Sequence, residues 1–166
     1  LDQGGITLTA PITQRDRVYG LVGVDGQSDN SAPWLRVREQ TRADETTTIF
    51  TLKRSVTNQL DSIEHETVVE NTEELIKIIS NLEFAPYSDL KKTRQIGHYE
   101  GIEICVDTVS DLGDFIEVEK ITEEDVDYDA VIEELWSVLE RFGVDRSDEV
   151  TDGYDVLMRK SQGLVG

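Results

Sequence analysis

The chain has 166 residues, and its 16 lysines and arginines against 35 aspartates and glutamates give a formal charge of −19 at pH 7. This length predicts a single domain, and 37% hydrophobic residues are enough for an ordinary core. The charge excludes a general binder of nucleic acid or of an anionic membrane, because phosphate-rich partners are repelled at long range. Any phosphate ligand must therefore meet a local basic site.

Cysteine and histidine content excludes two further classes. The lone Cys105 rules out an internal disulfide, and with only His65 and His98 it cannot complete a structural zinc site of four ligands. No apolar run approaches the roughly 20 residues that cross a bilayer, and no secretory signal is recognisable. We therefore expect a cytoplasmic protein.

Four strands are predicted before the first helix. The alternation and the β-forming residue types place them at residues 14–19, 34–39, 48–54 and 62–70. A loop rich in Gly, Ser, Asp and Asn covers residues 20–33, and a polar turn covers residues 41–46.

The first helix follows, with Asn71 or Thr72 as its N-cap and Pro86 barring its continuation. Its apolar face comprises Leu75, Ile76, Ile79 and Leu82.

Three strands and a longer helix are predicted in the second half. The strands cover residues 91–99, 101–109 and 114–120, with turns at 97–101 and 110–113. The helix covers residues 123–142, because Thr122 with Asp125 resembles a capping box and Gly143 is a natural stop. A C-terminal tail, residues 144–166, contains one or two amphipathic turns around Tyr154, Leu157 and Met158.

The order of these elements indicates a tandem repeat. The second half reads strand, helix, three strands, whereas the first offers three strands with nothing before them. A tandem of this unit predicts a further strand and helix ahead of Leu1, with residues 1–5 as the end of that helix. We therefore expect residues 1–166 to form one N-terminally incomplete domain.

The alternation along the strands also places charged and aliphatic residues on opposite faces of the predicted sheet. Arg36 and Arg38 alternate with Leu35 and Val37, and the same aliphatic-against-charged pattern recurs on several strands. Five of the sixteen basic residues fall in this pattern, and these are Arg36, Arg38, Lys53, Lys92 and Arg94. One interpretation is a sheet with a solvated polar face. The other is a barrel with the charged face as its lumen, where carboxylates bind Mg²⁺ or Mn²⁺ and basic residues bind phosphate.

In order along the chain, these residues resemble the motifs of the CYTH family, also called triphosphate tunnel metalloenzymes. The matching segments are Gln14-x-Asp16, Arg36-x-Arg38, Lys53, Glu64-x-Glu66, Lys92-x-Arg94, the run from Asp107 through Leu112-Gly113 to Glu117-x-Glu119 and, weakly, Tyr154. The run from Asp107 to Glu119 is the most specific of them. The family includes class IV adenylyl cyclases, thiamine triphosphatases and inorganic triphosphatases.

The resemblance implies an α+β fold, an eight-stranded antiparallel β-barrel or triphosphate tunnel with flanking helices. The barrel is built from two strand-helix-three-strand halves, and its first strand and helix are missing here. Position by position, the phosphate-binding residues would be Arg36, Arg38, Lys53, Lys92 and Arg94. The metal ligands would be Glu64, Glu66, Asp107, Glu117 and Glu119, with Asp107 alternatively orienting a basic neighbour. The family's opening Glu-x-Glu-x-Lys strand is absent from this sequence, which is a departure from the pattern.

The resemblance implies a metal-dependent enzyme that hydrolyses a nucleotide or another organic or inorganic triphosphate. The alternatives are a class IV adenylyl cyclase, which converts ATP to cyclic AMP and pyrophosphate, and a module that binds phosphate ligands without turnover. Mg²⁺ or Mn²⁺ is the expected cofactor. A homodimer is compatible with each alternative, and neither nucleic acid nor a membrane is an expected partner.

Overall fold

A computed structural model describes residues 5–23, 32–56, 62–122 and 126–164. They form one antiparallel sheet of seven strands, in the order β4-β3-β2-β1-β5-β6-β7, with three α-helices. The strands are β1 (Ile12–Leu21), β2 (Trp34–Arg42), β3 (Glu45–Ser55), β4 (Ser62–Val69), β5 (Phe84–Tyr99), β6 (Ile102–Val109) and β7 (Gly113–Glu119). The helices are α1 (Thr72–Asn81), α2 (Tyr128–Arg141) and α3 (Tyr154–Ser161), with a short 3-10 turn at Arg146–Asp148.

The predicted α+β architecture of an antiparallel sheet with flanking helices is confirmed. The described residues contribute seven strands, one fewer than the eight-stranded barrel that the resemblance implies. Within the described residues the sheet does not close on itself, because its order ends at β4 and β7. The predicted end of a helix at residues 1–5 falls mostly outside the described residues.

Two hairpins have tighter turns than the sequence predicted. Ala43 and Asp44 join β2 to β3, and Glu100 and Gly101 join β5 to β6, with positive φ at all four residues. Adjacent positive φ angles are typical of the two-residue turns that match the twist of antiparallel strands. The predicted turn at 97–101 is therefore too long, because residues 97–99 belong to β5, as the predicted strand at 91–99 has them.

Strand β5 is much longer than predicted and includes Pro86. The register between β1 and β5 shifts between Val18 and Tyr19, opposite Pro86 to Ser88. A proline lacks the backbone donor of a regular ladder, and an irregularity in the register accommodates it. Helix α1 thus ends at Asn81, before Pro86, and Pro86 itself belongs to a strand.

Helices α1 and α2 cover the aliphatic face of the sheet. Ile79 of α1 packs with Tyr19, Leu35 and Val37. Val138 of α2 packs with Ile6, Ile102 and Ile104. This agrees with the predicted covering of the aliphatic face by helices.

The predicted start of the long helix is wrong. Helix α2 begins at Tyr128, and its N-cap is Asp127, whose carboxylate accepts a hydrogen bond from the backbone N–H of Ala130 at 3.2 Å. Thr122 is not helical, and its proposed capping partner Asp125 lies outside the described residues. Aspartate stabilises a helix at its cap better than in its interior, which favours Asp127 as the boundary within this acidic run.

The third helix lies on the opposite face of the sheet from the other two. Met158 of α3 packs with Leu90 and Val109, and Phe115 and Tyr154 border this cluster. Leu90 is two residues from Lys92 on β5 and shares its face. The charged face is therefore covered in part by α3, whereas the sequence predicted only that the tail contains short amphipathic turns.

The register gives the strand pairs β1-β2 and β5-β6 a similar pattern of ionic pairs on both sides of the sheet centre. Gln14 of β1 and Lys92 of β5 are direct cross-strand partners at the centre of the sheet. On either side, Asp16 is opposite Arg38 and Arg94 is opposite Asp107. Each half thus places a carboxylate beside a guanidinium, with the two signs exchanged between the central strand and its outer neighbour.

Candidate functional site

The predicted phosphate-binding and metal-binding residues all have their side chains on the same face of the sheet. The cross-strand pairs connect β4 to β3 through Glu66 and Thr51, β3 to β2 through Thr51 and Arg36, and β6 to β7 through Cys105 and Glu117. We call this surface the charged face. Its ionic members are Asp16, Arg36, Arg38, Lys53, Glu64, Glu66, Lys92, Arg94, Asp107, Glu117 and Glu119.

A buried ion pair connects the first two strands of this face. The Arg38 guanidinium donates from Nε and Nη2 to the two Asp16 carboxylate oxygens, at 2.7 Å each. Burial alone would raise the pKa of Asp16, but the hydrogen bonds and charge of Arg38 hold it below its usual value. The fork of Arg38 is therefore occupied by a carboxylate of its own chain.

A second buried cluster lies on β5 and β6. Asp107 accepts hydrogen bonds from Lys92 Nζ at 2.9 Å and from Arg94 Nε and Nη2 at 2.7 and 2.6 Å. Its side chain has no exposed area, and those of Lys92 and Arg94 are only 3% and 8% exposed. The Arg94 guanidinium also contacts Glu117 on β7. Asp107 thus orients two basic neighbours, which is one of the two roles predicted for it.

The other end of the face is more open. Lys53 Nζ lies 3.0 Å from Glu64, and Arg36 Nη2 lies 3.3 Å from Glu66. Thr51 donates its hydroxyl to Glu66 at 2.6 Å. Arg36 Nε is buried without a hydrogen-bond partner among the described residues. An unpaired buried N–H of a cation favours an anionic partner, because its desolvation is otherwise uncompensated.

Three potential metal ligands meet at the β7 edge. One ligand atom each from Cys105, Glu117 and Glu119 lies within 4.8 Å of the others. Burial raises the pKa of the Cys105 thiol to about 12, and sulfur is a softer ligand than Mg²⁺ or Mn²⁺ prefers. The two carboxylates therefore supply the oxygen ligands that Mg²⁺ and Mn²⁺ prefer.

The predicted metal ligands include two carboxylate pairs that approach each other across the charged face, because burial raises the pKa of Glu119 and the charge of Glu64 adds to this effect. Glu64 and Glu66 lie on β4, at the opposite edge of the sheet from Glu117 and Glu119, and are paired with basic residues. Both Asp107 oxygens are engaged by Lys92 and Arg94. Their assignment as metal ligands stays a prediction.

Helix α3 places an aromatic residue over one of the five cations of the charged face. We call these cations the basic row, and they are Arg36, Arg38, Lys53, Lys92 and Arg94. The ring centroid of Tyr154 lies 4.9 Å from Lys92 Nζ and 4.9 Å from the ring centroid of Phe115. Burial raises the pKa of the Tyr154 hydroxyl, and the negative charges of Glu117 and Asp107 add to this effect. The hydroxyl therefore stays protonated.

Aromatic residues also border the charged face near Lys53. Trp34 is its cross-strand partner on β2, and the Trp34 ring lies edge-on to Tyr87 with centroids 4.7 Å apart. The Arg159 guanidinium of α3 lies over the Tyr87 ring and also donates to the Tyr87 carbonyl oxygen at 3.0 Å. A partly exposed aromatic surface therefore lies beside the cations.

Sequence reasoning missed two contributions to this site. Asp16 and Tyr154 were quoted within the family resemblance, Tyr154 only weakly, but neither was given a role. Gln14 and Asp16 share one strand face and alternate with Thr13, Arg15 and Arg17, but the partner of Asp16 on β2 depends on the register. Cys105 also lies on the charged face, as the cross-strand partner of Glu117.

Among the helices that the structure describes, none has the length and apolar character needed to cross a bilayer.

Known proteins resemble this chain in both sequence and fold. A protein of Methanocaldococcus jannaschii named "Putative adenylate cyclase MJ0240" is 30% identical over 91 residues, which cover 55% of this chain and 52% of that protein. The chain thus spans about half the length of this curated relative. The PH1819 protein of Pyrococcus horikoshii has a TM-score of 0.82 at 21% identity, over 95% of this chain and 90% of that one.

A plant protein shares the fold at a greater distance. The structure of "Putative adenylyl cyclase HpAC1" from Hippeastrum has a TM-score of 0.59 at 15% identity, over 96% of this chain and 86% of that one, and is described as revealing a dominant triphosphatase activity. The CYTH domain family itself matches residues 7–154, which is most of the chain. On the strength of that match, this chain belongs to the CYTH family.

Proposed function

We propose that this protein is a metal-dependent triphosphatase whose charged face binds a linear triphosphate. The observation that carries the proposal is the convergence of five cations from β2, β3 and β5 on one face, with Arg36 Nε buried and unpaired. Arginine forks and lysine ammonium groups are the donors that bind phosphate oxygens. The family match and the activity described for the Hippeastrum protein support the same substrate class.

The charge balance of the face supports a requirement for divalent cations. Its five basic side chains lie within 4 Å of six carboxylates, those of Asp16, Glu64, Glu66, Asp107, Glu117 and Glu119. The face therefore has no excess positive charge with which to neutralise a triphosphate. Glu117 and Glu119 would hold Mg²⁺ or Mn²⁺, and Glu64 and Glu66 are a second carboxylate pair for the same purpose. When bound, the ion would neutralise charge that develops on the phosphate oxygens.

The chain's own residues would divide the work of binding. Arg36 and Lys53 have partly exposed side chains and can turn donors towards phosphate oxygens. Lys92 and Arg94 are fixed by Asp107, and Arg38 is fixed by Asp16, so their remaining N–H groups point in defined directions. Prior orientation of donors lowers the entropy lost on binding and stabilises transferring phosphate. Asp16 and Asp107 would thus act as orienting residues.

The second candidate is an adenylyl cyclase, which the names of the relatives favour. Cyclisation also needs a surface for the adenine, and the edge-on pair of Trp34 and Tyr87 beside Lys53 is an aromatic surface of this kind. The same residues would be compatible with a hydrolase of organic triphosphates.

Product analysis separates the candidates. The full-length protein is incubated with tripolyphosphate and, separately, with ATP, each with Mg²⁺ or Mn²⁺ and each with chelator as control. We expect phosphate release from tripolyphosphate that chelator abolishes. Cyclic AMP with stoichiometric pyrophosphate would establish the cyclase instead, whereas tripolyphosphate binding without any product would establish a binding module.

A further inference from the structure

We propose that Tyr154 of α3 is a positioning residue that holds Lys92 in the conformation in which it binds the triphosphate. The inference rests on the proposed function. It starts from the location of α3 on the charged face and from the stacking of its first residue over the most central cation of the basic row.

The surroundings of Lys92 hold its ammonium group on two sides. Its Nζ donates to Asp107 at 2.9 Å on one side, and the Tyr154 ring centroid lies 4.9 Å from it on another. An ammonium has three N–H donors, and the face of an aromatic ring attracts a cation. The carboxylate and the ring therefore fix the ammonium group on two sides, in a side chain that is only 3% exposed.

The Tyr154 ring is itself held in place. It packs against Phe115 of β7, with centroids 4.9 Å apart and an interplanar angle of 56°. One turn further along α3, Met158 is buried against Leu90 and Val109. The far end of the helix is attached to β5 by Arg159, which donates to the Tyr87 carbonyl oxygen. The ring position is therefore determined by contacts at both ends of α3.

Lys92 is distinguished from the other cations of the row by this ring. Within the described parts of the chain, it is the only one of the five that lies over an aromatic face. Arg38 and Arg94 are planar forks that a bidentate carboxylate orients completely. A lysine with a single carboxylate contact rotates about its flexible stem, so a second contact is needed to fix it. Tyr154 supplies that second contact.

The test is a double-mutant cycle on tripolyphosphate affinity, measured by calorimetry with Mg²⁺ present. Tyr154→Leu removes the ring but keeps an apolar side chain, and it should weaken binding about 3- to 30-fold, the range of a cation–π contact. Tyr154→Phe keeps the ring and should restore affinity to within about twofold of the wild type. In a Lys92→Met background, Tyr154→Leu should cause no further loss, because the residue through which Tyr154 acts is absent.

Met158→Leu is the matched control for repacking of α3. It keeps the side-chain volume close to constant and does not touch Lys92, so affinity should remain that of the wild type. If Tyr154→Leu weakens binding equally with and without Lys92, the residue acts only by seating α3 and the inference is wrong while the proposed function stands. If the wild-type protein does not bind tripolyphosphate at all, the proposed function fails and the inference fails with it.

Discussion

The buried pair of Asp16 and Arg38 gives the sharpest prediction about stability. Arg38→Ala removes both donors from a carboxylate that is 7% exposed and accepts two hydrogen bonds at 2.7 Å. The Asp16 carboxylate that remains cannot reach water without disturbing the sheet between β1 and β2. The result is a buried charge without its partner.

The magnitude follows from the geometry. Removing one partner of a buried ion pair destabilises a protein by about 3–5 kcal/mol. The charges of Arg36 and Lys92 also stabilise the Asp16 carboxylate, which places the expected loss near the lower limit, at about 3 kcal/mol. For a domain of this size, this corresponds to a fall in melting temperature of roughly 6–12 °C.

Urea unfolding followed by circular dichroism measures this loss. The matched variant is the pair Asp16→Asn with Arg38→Gln, which removes both charges and keeps a polar side chain at each position. We expect it to be more stable than Arg38→Ala, because no unpaired charge remains. A loss below about 1 kcal/mol for Arg38→Ala, or a double variant no more stable than the single one, would refute the reasoning.

The same pair predicts a pH dependence. The pKa of Asp16 is lower in the folded protein than the value of about 3.9 expected for an unfolded chain. Its contribution to stability is therefore present in full above that value and is lost as the pH falls through the folded pKa. The stability difference between the wild type and Asp16→Asn should accordingly shrink below about pH 4.

Four further predictions follow from individual residues. Arg36→Ala should weaken tripolyphosphate binding at least about tenfold in calorimetry with Mg²⁺, because a charge-assisted donor is lost. Glu117→Gln should raise the Mg²⁺ or Mn²⁺ concentration needed for half-maximal tripolyphosphate binding while leaving the circular dichroism spectrum unchanged. Cys105, with no exposed area and a pKa of about 12, should resist a thiol reagent at pH 8 until the protein is unfolded. Ala43→Gly should stabilise the protein against urea by about 0.5–1 kcal/mol, because Ala43 has a φ of 47°.

The sequence predicted which residues share a face but not which residues are partners. Alternation alone puts Arg36 and Arg38 opposite in direction to Leu35 and Val37, and the structure agrees. The partner of Asp16, however, depends on the register across the segment between β1 and β2, and a long connection does not fix a register as a two-residue turn does. Arg38 could therefore be assigned to phosphate from its type and spacing, whereas its hydrogen bonds to Asp16 could not be predicted.

The location of α3 could not be predicted from the sequence, for a different reason. The spacing of Tyr154, Leu157 and Met158 indicates one apolar side of a short helix, and such a side can pack on any apolar surface. Leu90 and Val109 provide that surface on the charged face, although the neighbouring positions Lys92 and Asp107 are ionic. A two-turn helix contains too few residues for its pattern to distinguish the two faces of a sheet.

These two unpredicted features have a joint consequence for ligand binding. The forks of Arg38 and Arg94 are occupied by Asp16 and Asp107, and Lys92 is confined by Asp107 and Tyr154. Carboxylate oxygens and phosphate oxygens compete for the same N–H groups, so a triphosphate that displaced either aspartate would leave a buried charge unpaired. Binding through the donors that the aspartates leave free avoids that penalty. The partly exposed Arg36 and Lys53, whose carboxylate partners are also more exposed, are therefore the cations most able to exchange a protein partner for a phosphate.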